Sequence, residues 1–276
     1  MKTNILCVVV LYGNRLHESV SYRAVRSQAG ACGADVAFYV HDNSPEADPE
    51  AVRSEEVVYR HCPENRGLGT AYNAAAEYAS KNGISWLLLL DQDTELSDGF
   101  LRAYVDAIGS HPDTEVFVPQ VLLPDGDFLS PMRRWKKQRR PLVAGGCYPL
   151  GRYAVINSGM CVATQLFLRS GGYNEKVWLD FSDTQFVRRL VRAGTSRFYL
   201  LTCACTQNFS SEERDRSALK RRYEIYLDCA RNCEFIDWSD CLFRLQSVLS
   251  HTLMLTFRTH DAYFLRKFFF NYILRK

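Results

Sequence analysis

The sequence predicts an α/β fold: an open, mostly parallel sheet with helices on both faces, followed by a helical C-terminal extension. Two observations predict it. Apolar runs of strand length alternate with helix-like segments through residues 1–110. Each apolar run then gives way to polar or acidic residues, namely Asn14, Asp42, Asn65 and the pair Asp91 and Asp93. Ligands of open α/β sheets bind outside the carboxyl ends of the strands, so these ends predict a cleft.

The first strand is Asn4–Leu11, NILCVVVL, which stops at Tyr12-Gly13-Asn14, and residues 15–31 have helical character. The second, DVAFYV over 35–40, is closed by His41-Asp42-Asn43-Ser44-Pro45, short polar residues and a proline that form a loop. A third strand over 56–60 leads to Glu64-Asn65-Arg66-Gly67-Leu68-Gly69, and an alanine-rich helix over 70–81 stops at Asn82-Gly83. Trp86-Leu-Leu-Leu-Leu-Asp91 is the strongest strand, apolar throughout as a strand covered on both faces must be. A helix over 97–109 follows. Beyond residue 110 the pattern changes to short strands at 116–119 and 121–123, a turn at Pro124-Asp125-Gly126-Asp127, a basic stretch over 133–140 and a loop over 141–146. Next come a strand over 153–163, a short helix ended by Gly171-Gly172, a helix beginning near Trp178 and stopping at Ala193-Gly194, and a last strand over 196–202. From about residue 212 only helices are predicted, over 212–235, 239–257 and 262–276. This divides the chain into an α/β domain, 1–210, with halves 1–110 and 111–210, and a helical extension, 211–276.

The 276 residues, 47% apolar, suffice for a large core. A net charge of +3 does not suit a dedicated nucleic-acid binder. Ten cysteines would suggest disulfides in a small secreted chain, but Met1-Lys-Thr-Asn runs into a strand without signal-peptide architecture, so a reducing cytoplasm is expected. No paired Cys-x-x-Cys set points to zinc. No apolar run approaches the roughly 20 residues of a membrane-spanning helix. Contact with a membrane would be peripheral, at its inner face, through two features. Residues 133–140 gather six basic side chains around Trp135, and residues 263–276 interleave aromatic bulk with Arg266, Lys267, Arg275 and Lys276. The same C-terminal helices could instead pack on the core or join two copies as a homodimer.

Asp91 and Asp93 are two apart, so in an extended chain they point the same way and could share one hard divalent cation, Mg²⁺ or Mn²⁺, able to neutralise a diphosphate. A capping role for the next helix is the plainer reading. A haloacid-dehalogenase-type phosphatase also carries an apolar strand ending Asp-x-Asp-x-Thr/Val, but here Glu95 takes the last position and three strand units come first. Asp180 and Asp183 lie one helical turn apart and would share a face. Like-charge proximity would raise one of their pKa values, making Asp183 the expected general base and Asp180 its accessory.

Val8 to Asn14, Asp42-Asn43-Ser44, the segment 64–75 with Gly67, Gly69 and Asn73, and Asp91-Gln92-Asp93, in that order, resemble the nucleotide-sugar-binding half of family 2 glycosyltransferases. Those enzymes have the GT-A fold, a Rossmann-like scaffold for nucleotide-diphospho-sugar transfer. Asn157-Ser-Gly-Met160, residues 179–188, and Arg222-Tyr223 to Arg231-Asn232 extend the resemblance to the bacterial rhamnosyltransferase branch, over residues 4–235 in all. The resemblance implies an inverting, metal-dependent transfer of a sugar, rhamnose in that branch, from a dTDP- or UDP-sugar to a growing surface glycan or lipid-linked acceptor. It implies that Asp42 bonds the base, that Asp91 meets the ribose or a metal-bound water, and that Asp93 holds Mg²⁺ or Mn²⁺. Tyr12, Asn14, Asn65 and Gln92 would complete the nucleotide-sugar site. Gly67 and Gly69 would admit the ligand close to backbone, and Asn73 would fix their loop. Two departures stand out. Leu11 or Tyr12 replaces a family threonine, and Thr206-Gln207-Asn208 stands where some relatives place a histidine as a metal or phosphate contact, which weakens the metal site or hands the role to Gln207. The alternatives are a catalytically degenerate relative that binds membranes or polyanions, and a nucleotidyltransferase, for which Tyr12-Gly13-Asn14-Arg15 is a poor loop.

Overall fold

The computed structural model describes residues 2–134, 144–207 and 215–274. In chain order its first half comprises β1 (Asn4–Leu11), α1 (Val20–Ala29), β2 (Asp35–Asp42), α2 (Pro49–Arg53), β3 (Val58–His61), α3 (Leu68–Lys81), β4 (Trp86–Asp91), β5 (Glu95–Leu96) and α4 (Phe100–Ser110). The second half adds β6 (Val116–Leu122), β7 (Phe128–Ser130), β8 (Met132–Arg133), β9 (Gly146–Pro149), β10 (Tyr153–Ala154), β11 (Cys161–Ala163), α5 (Thr164–Arg169), α6 (Ser182–Arg192) and β12 (Arg197–Thr206). Three helices close the chain: α7 (Arg216–Asn232), α8 (Trp238–Thr259) and α9 (Tyr263–Lys267), the last running on through a π-helical turn, Phe268–Ile273.

The main sheet has the order β3-β2-β1-β4-β11-β6-β12-β5. Its first four strands are parallel, β11 is antiparallel to both neighbours, and β12 returns parallel to β6. Register sets the strand ends side by side: Leu11 opposite Asp42, Asp42 opposite His61, and Val10 opposite Asp91. Alternation decides which face each residue serves. Leu6, Val8, Leu87 and Leu89 pack under α3, α5 and α6, whereas Ile5, Cys7, Leu88 and Leu90 pack under α1 and α4. A third, smaller core joins α7, α8 and α9 around Tyr223, Leu227, Leu255 and Phe264, with Phe181 packed against it.

Several elements differ from the sequence reading, each for a local reason. The helix expected over 15–31 is a 3₁₀ turn, Leu16–Glu18, followed by α1, because the Ser19 hydroxyl accepts the Tyr22 N–H and starts a new helix. The two short strands expected around Pro119 are one strand, β6. Its partner β12 shifts register between Leu200 and Ala204, opposite the proline, which has no N–H to offer a ladder. The strand expected over 153–163 is only its two ends, β10 and β11, separated by a loop with Gly159 at φ +78°. Gly146–Pro149, where the sequence showed no strand, is strand β9 on β12, and the last strand runs on to Thr206.

Two surface readings are also revised. Residues 135–140 of the basic stretch lie outside the described residues. Arg134 is no solvated charge: it is buried, donates to Asp240 at 2.9 Å and lies over the Phe243 ring. The C-terminal segment does not lie free, since Phe264 is buried in the helical core and Lys267 pairs with Glu224. Leu265, Phe269, Phe270, Ile273 and Leu274 remain exposed. Among the described residues, no helix is long and apolar enough to cross a membrane.

Leu89 is fully buried between two core layers, so Leu89→Ala should destabilise the fold by about 2–5 kcal/mol in denaturant unfolding. Leu242→Ala, at an exposed position, should change stability by no more than about 0.5 kcal/mol.

Candidate active site

A cavity of about 560 Å³ opens at the carboxyl ends of β1 and β4. Tyr12, Asn65, Gly67, Asp91, Gln92 and Asp93 reach it from the parallel half of the sheet. Asn157, Ser158, Trp178, Asp183 and Gln207 reach it from the other half.

The 155–160 loop organises this wall. Because β11 crosses β4 antiparallel, Gly159 N–H donates to the Leu89 carbonyl, 2.9 Å, and the loop is laid over the end of β4. Ser158 Oγ then donates to one oxygen of Asp91 at 2.5 Å, and Asn157 Nδ2 to the other at 3.2 Å. The same amide donates to the buried Tyr72 hydroxyl at 2.9 Å, while the Asn157 backbone N–H bonds Asp183. Asn157 thus stands between two carboxylates. Burial pushes the Asp91 carboxyl above its usual range, the Asp93 charge adds to this, and the Ser158 and Asn157 bonds oppose it. Burial, and next the Asp91 charge, push the Asp183 carboxyl up to about 7.

The chain leaves β4 in a turn, with Thr94 N–H bonded to the Asp91 carbonyl, so Asp91 and Asp93 are not alternate residues of one extended strand, although both line the cavity. Asp93 is exposed; Gln207 Nε2 lies 3.4 Å from it, and Gln207 Oε1 accepts from Thr94 at 2.6 Å. Among the described residues, no group of three or more His, Cys, Asp or Glu forms a metal cluster. Magnesium commonly takes one or two carboxylates and completes its shell with substrate phosphates. An exposed Asp93 at the cavity edge fits that pattern.

Other candidates have different surroundings from those expected. The room above Gly67, at φ +86°, is filled by Trp178, whose carbonyl and Cβ would lie 2.5 and 2.7 Å from an added Cβ. Gly69 likewise makes room for Tyr173. Both glycines therefore let residues 173–178 pack closely against this loop, and Gly67 also lines the cavity. Asn73 fixes not their loop but the segment after Gly172: it accepts the Tyr173 N–H at 2.8 Å and donates to the Tyr173 carbonyl and to Glu175. Gln92 clamps β1 to β4, accepting the Tyr12 N–H at 2.9 Å and donating to its carbonyl at 3.1 Å. Asp42 and Asn14 border an adjoining hollow of about 540 Å³. Asp42 is 1% exposed, and its carboxylate accepts from Ser44 N–H and the Tyr59 hydroxyl, so it shapes the 42–48 loop and presents little to a base.

Asp180 is the clearest revision. Phe181 adopts a left-handed conformation, φ +66°, so α6 starts only at Ser182 and Asp180 is off the helix. Its carboxylate is gripped by Arg222 of α7, with Nη2 to Oδ1 at 2.8 Å. The Phe181 ring packs on Tyr226 of α7, centroids 4.9 Å apart, which fixes the turn that leads to Asp183. Sequence reasoning assigned no role to Asn157, Ser158, Tyr72 or Trp178. The available signal was Asn157-Ser158-Gly159, three strand-breaking residues inside an otherwise apolar run.

Fold and cavity together define a GT-A-type α/β protein with its ligand cleft at the strand ends. The chain belongs to glycosyl transferase family 2, whose profile matches residues 19–163. A Shigella flexneri protein described as dTDP-rhamnosyl transferase RfbF is 24% identical over 136 residues, covering 47% of this chain and 45% of that protein. The chain thus matches less than half of that relative's length. Its fold is similar to that of S. aureus TarS 1-349 in complex with UDP, with a TM-score of 0.58 and 15% identity over 88% of this chain and 68% of that one. It is also similar to GalNAc-T7 with UDP, GalNAc and Mn²⁺, with a TM-score of 0.52 and 13% identity over 81% of this chain and 47% of that one.

A carboxyl raised on folding binds more protons in the folded chain between its unfolded pKa, about 4, and its folded pKa. For Asp183 this lowers stability as pH rises towards about 7, and the loss persists above it. Asp183→Asn should therefore melt higher than wild type at pH 8, with the gap closing by pH 5. A wild type that is the more stable at pH 8 would contradict the buried-carboxylate account.

Proposed function

We propose that this chain transfers a sugar from a nucleotide-diphosphate donor to an acceptor hydroxyl, with inversion at the anomeric carbon. The observation that carries this reading is Asp183, a carboxyl near pH 7 facing the cavity that Asp91 and Asp93 also line. A base of that pKa is half deprotonated at neutral pH and still basic enough to take a hydroxyl proton. Asp183 removes the acceptor proton, the acceptor oxygen bonds the anomeric carbon, and the bond from that carbon to the diphosphate breaks on the opposite side. Asp91, held by Ser158 and Asn157, lies beside Asp183, and its charge adds to burial in raising the Asp183 carboxyl. Asp93, with Gln207 beside it, would hold Mg²⁺ or Mn²⁺ against the donor, and such a cation supplies charge neutralisation for the departing diphosphate.

The match to a dTDP-rhamnosyl transferase supports a dTDP-sugar, rhamnose first, and the UDP complex among the structural neighbours keeps a UDP-sugar as the second donor to test. A growing surface glycan or lipid-linked acceptor is the corresponding acceptor class. Peripheral attachment at the inner face of the membrane is supported by the exposed Phe269, Phe270 and Ile273.

Calorimetric titration with UDP, dTDP, GDP and CDP, with and without Mn²⁺, tests the donor half. One nucleotide should bind with metal and lose that dependence in Asp93→Ala. Asp183→Asn should keep donor binding while transfer falls by ~10²- to 10⁴-fold. Wild-type transfer rates should drop as pH falls below about 7. Full transfer by Asp183→Asn would remove it as the base.

A further inference from the structure

Helix α8 has an inner and an outer row, and the fold uses the inner one. Val248, Thr252 and Leu255 are buried against α7 and α9, with Tyr223 and Phe264 among their neighbours. The outer row is Trp238, Leu242, Leu245, Leu249, Leu253 and Phe257, spaced by three or four residues and so aligned along one side of the helix. The two aromatics are 76% and 73% exposed and the four leucines 37–57%, so this row lies outside the core formed by the described residues.

The chemistry of this face favours one kind of partner. Asp240 and Arg244 turn inward, where Asp240 pairs with Arg134 at 2.9 Å and with Arg244 at 3.6 Å. After Arg244 no acidic or basic residue other than His251, which is half-buried, follows in α8 until Arg258, and the exposed flanks Ser239, Gln246 and Ser250 are neutral. A helix seated among lipid headgroups carries Lys and Arg beside its apolar face, as residues 263–276 do and the middle of α8 does not. A neutral, apolar face can meet a second copy of itself without like-charge repulsion. The row also reads the same from either end: an aromatic, four leucines, an aromatic. Antiparallel pairing about the midpoint of α8 sets Trp238 against Phe257, Leu242 against Leu253 and Leu245 against Leu249, each contact made twice about a two-fold axis. The exposed fractions leave on the order of 650 Å² of apolar surface on each copy, and the neutral flanks bring this near the ~800 Å² per partner of a standard stable interface.

We propose that the outer row of α8 is the interface of a homodimer in which two copies pair their α8 helices antiparallel. The assignment is independent of the transferase reading. It braces α8 against α7, whose Arg222 and Tyr226 hold Asp180 and Phe181. Pairing adds to stability only above its dissociation constant, so the small effect of Leu242→Ala belongs to the dilute single chain.

Sedimentation equilibrium of the full chain, without detergent, should give twice the chain mass at micromolar concentration. Leu245→Lys and Leu249→Glu should each sediment as a single chain while keeping the helical circular dichroism of wild type. Val52→Glu, at an exposed apolar position on α2, should leave the dimer intact. Mixed in equal amounts, Leu245→Lys and Leu249→Glu should pair ~10-fold or more tightly than either alone, because the antiparallel register brings the introduced ammonium to the introduced carboxylate. A wild type that stays a single chain would overturn the assignment, and its release from phosphatidylglycerol vesicles by Leu249→Glu would then give the face to the bilayer. Undiminished pairing in Leu249→Glu would also overturn it. A mixture that fails to pair would overturn the antiparallel register.

Discussion

The arrangement at the head of the sheet depends on one side chain between two negative charges. Asn157 donates its amide to Asp91 and its backbone N–H to Asp183, so each carboxylate has a partner without either being neutralised by a cation. An arginine there would have driven both pKa values down. An apolar residue would have taken one donor from Asp91 and left it only Ser158. The neutral amide supports the pair and leaves the Asp91 charge in place, which adds to burial in raising the Asp183 carboxyl. Tyr72, buried in the main core, fixes the amide in turn, so the site is continuous with the packing of α3 on the sheet.

The placement of Asn157 depends on sheet topology. Only an antiparallel strand beside β4 can start where β4 ends, and β11 is that strand. Had the sheet stayed parallel, the chain would have entered next to β4 at its other end, and the 155–160 loop would lie far from Asp91. The switch from parallel to antiparallel pairing therefore positions the wall that carries Asn157 and Ser158, while the parallel strands position the wall that carries Asp91 and Asp93.

This explains which features were legible in the sequence. The apolar runs, their order and the polar residues that close them follow from local pattern, and β1, β2 and β4 with Asp42 and Asp91 at their ends were readable from it. The partners of those residues were not. The room at Gly67 is used by Trp178, and Asn73 is used by Tyr173, each about a hundred positions further along the chain; nothing local announces either pairing. Asp180 was misplaced for a different reason. A three-residue spacing implies a shared helical face only if the helix has begun, and the left-handed Phe181, a bulky residue in a conformation that favours glycine, delays it. The turn after Asp91 similarly removed the extended backbone from which the pairing of Asp93 with Asp91 was argued.

The left-handed turn at Phe181 also bears on how this protein can be divided. A bulky side chain in that conformation is sustained by its surroundings, and here they include a tyrosine from α7 and the arginine that grips Asp180. The C-terminal helices consequently act as a buttress for the start of α6. They are no module to be trimmed or exchanged at will: a graft of this extension from a relative would carry with it the alignment of the segment that leads to Asp183, and a chain cut before α7 would lose the contacts that hold Phe181 in place.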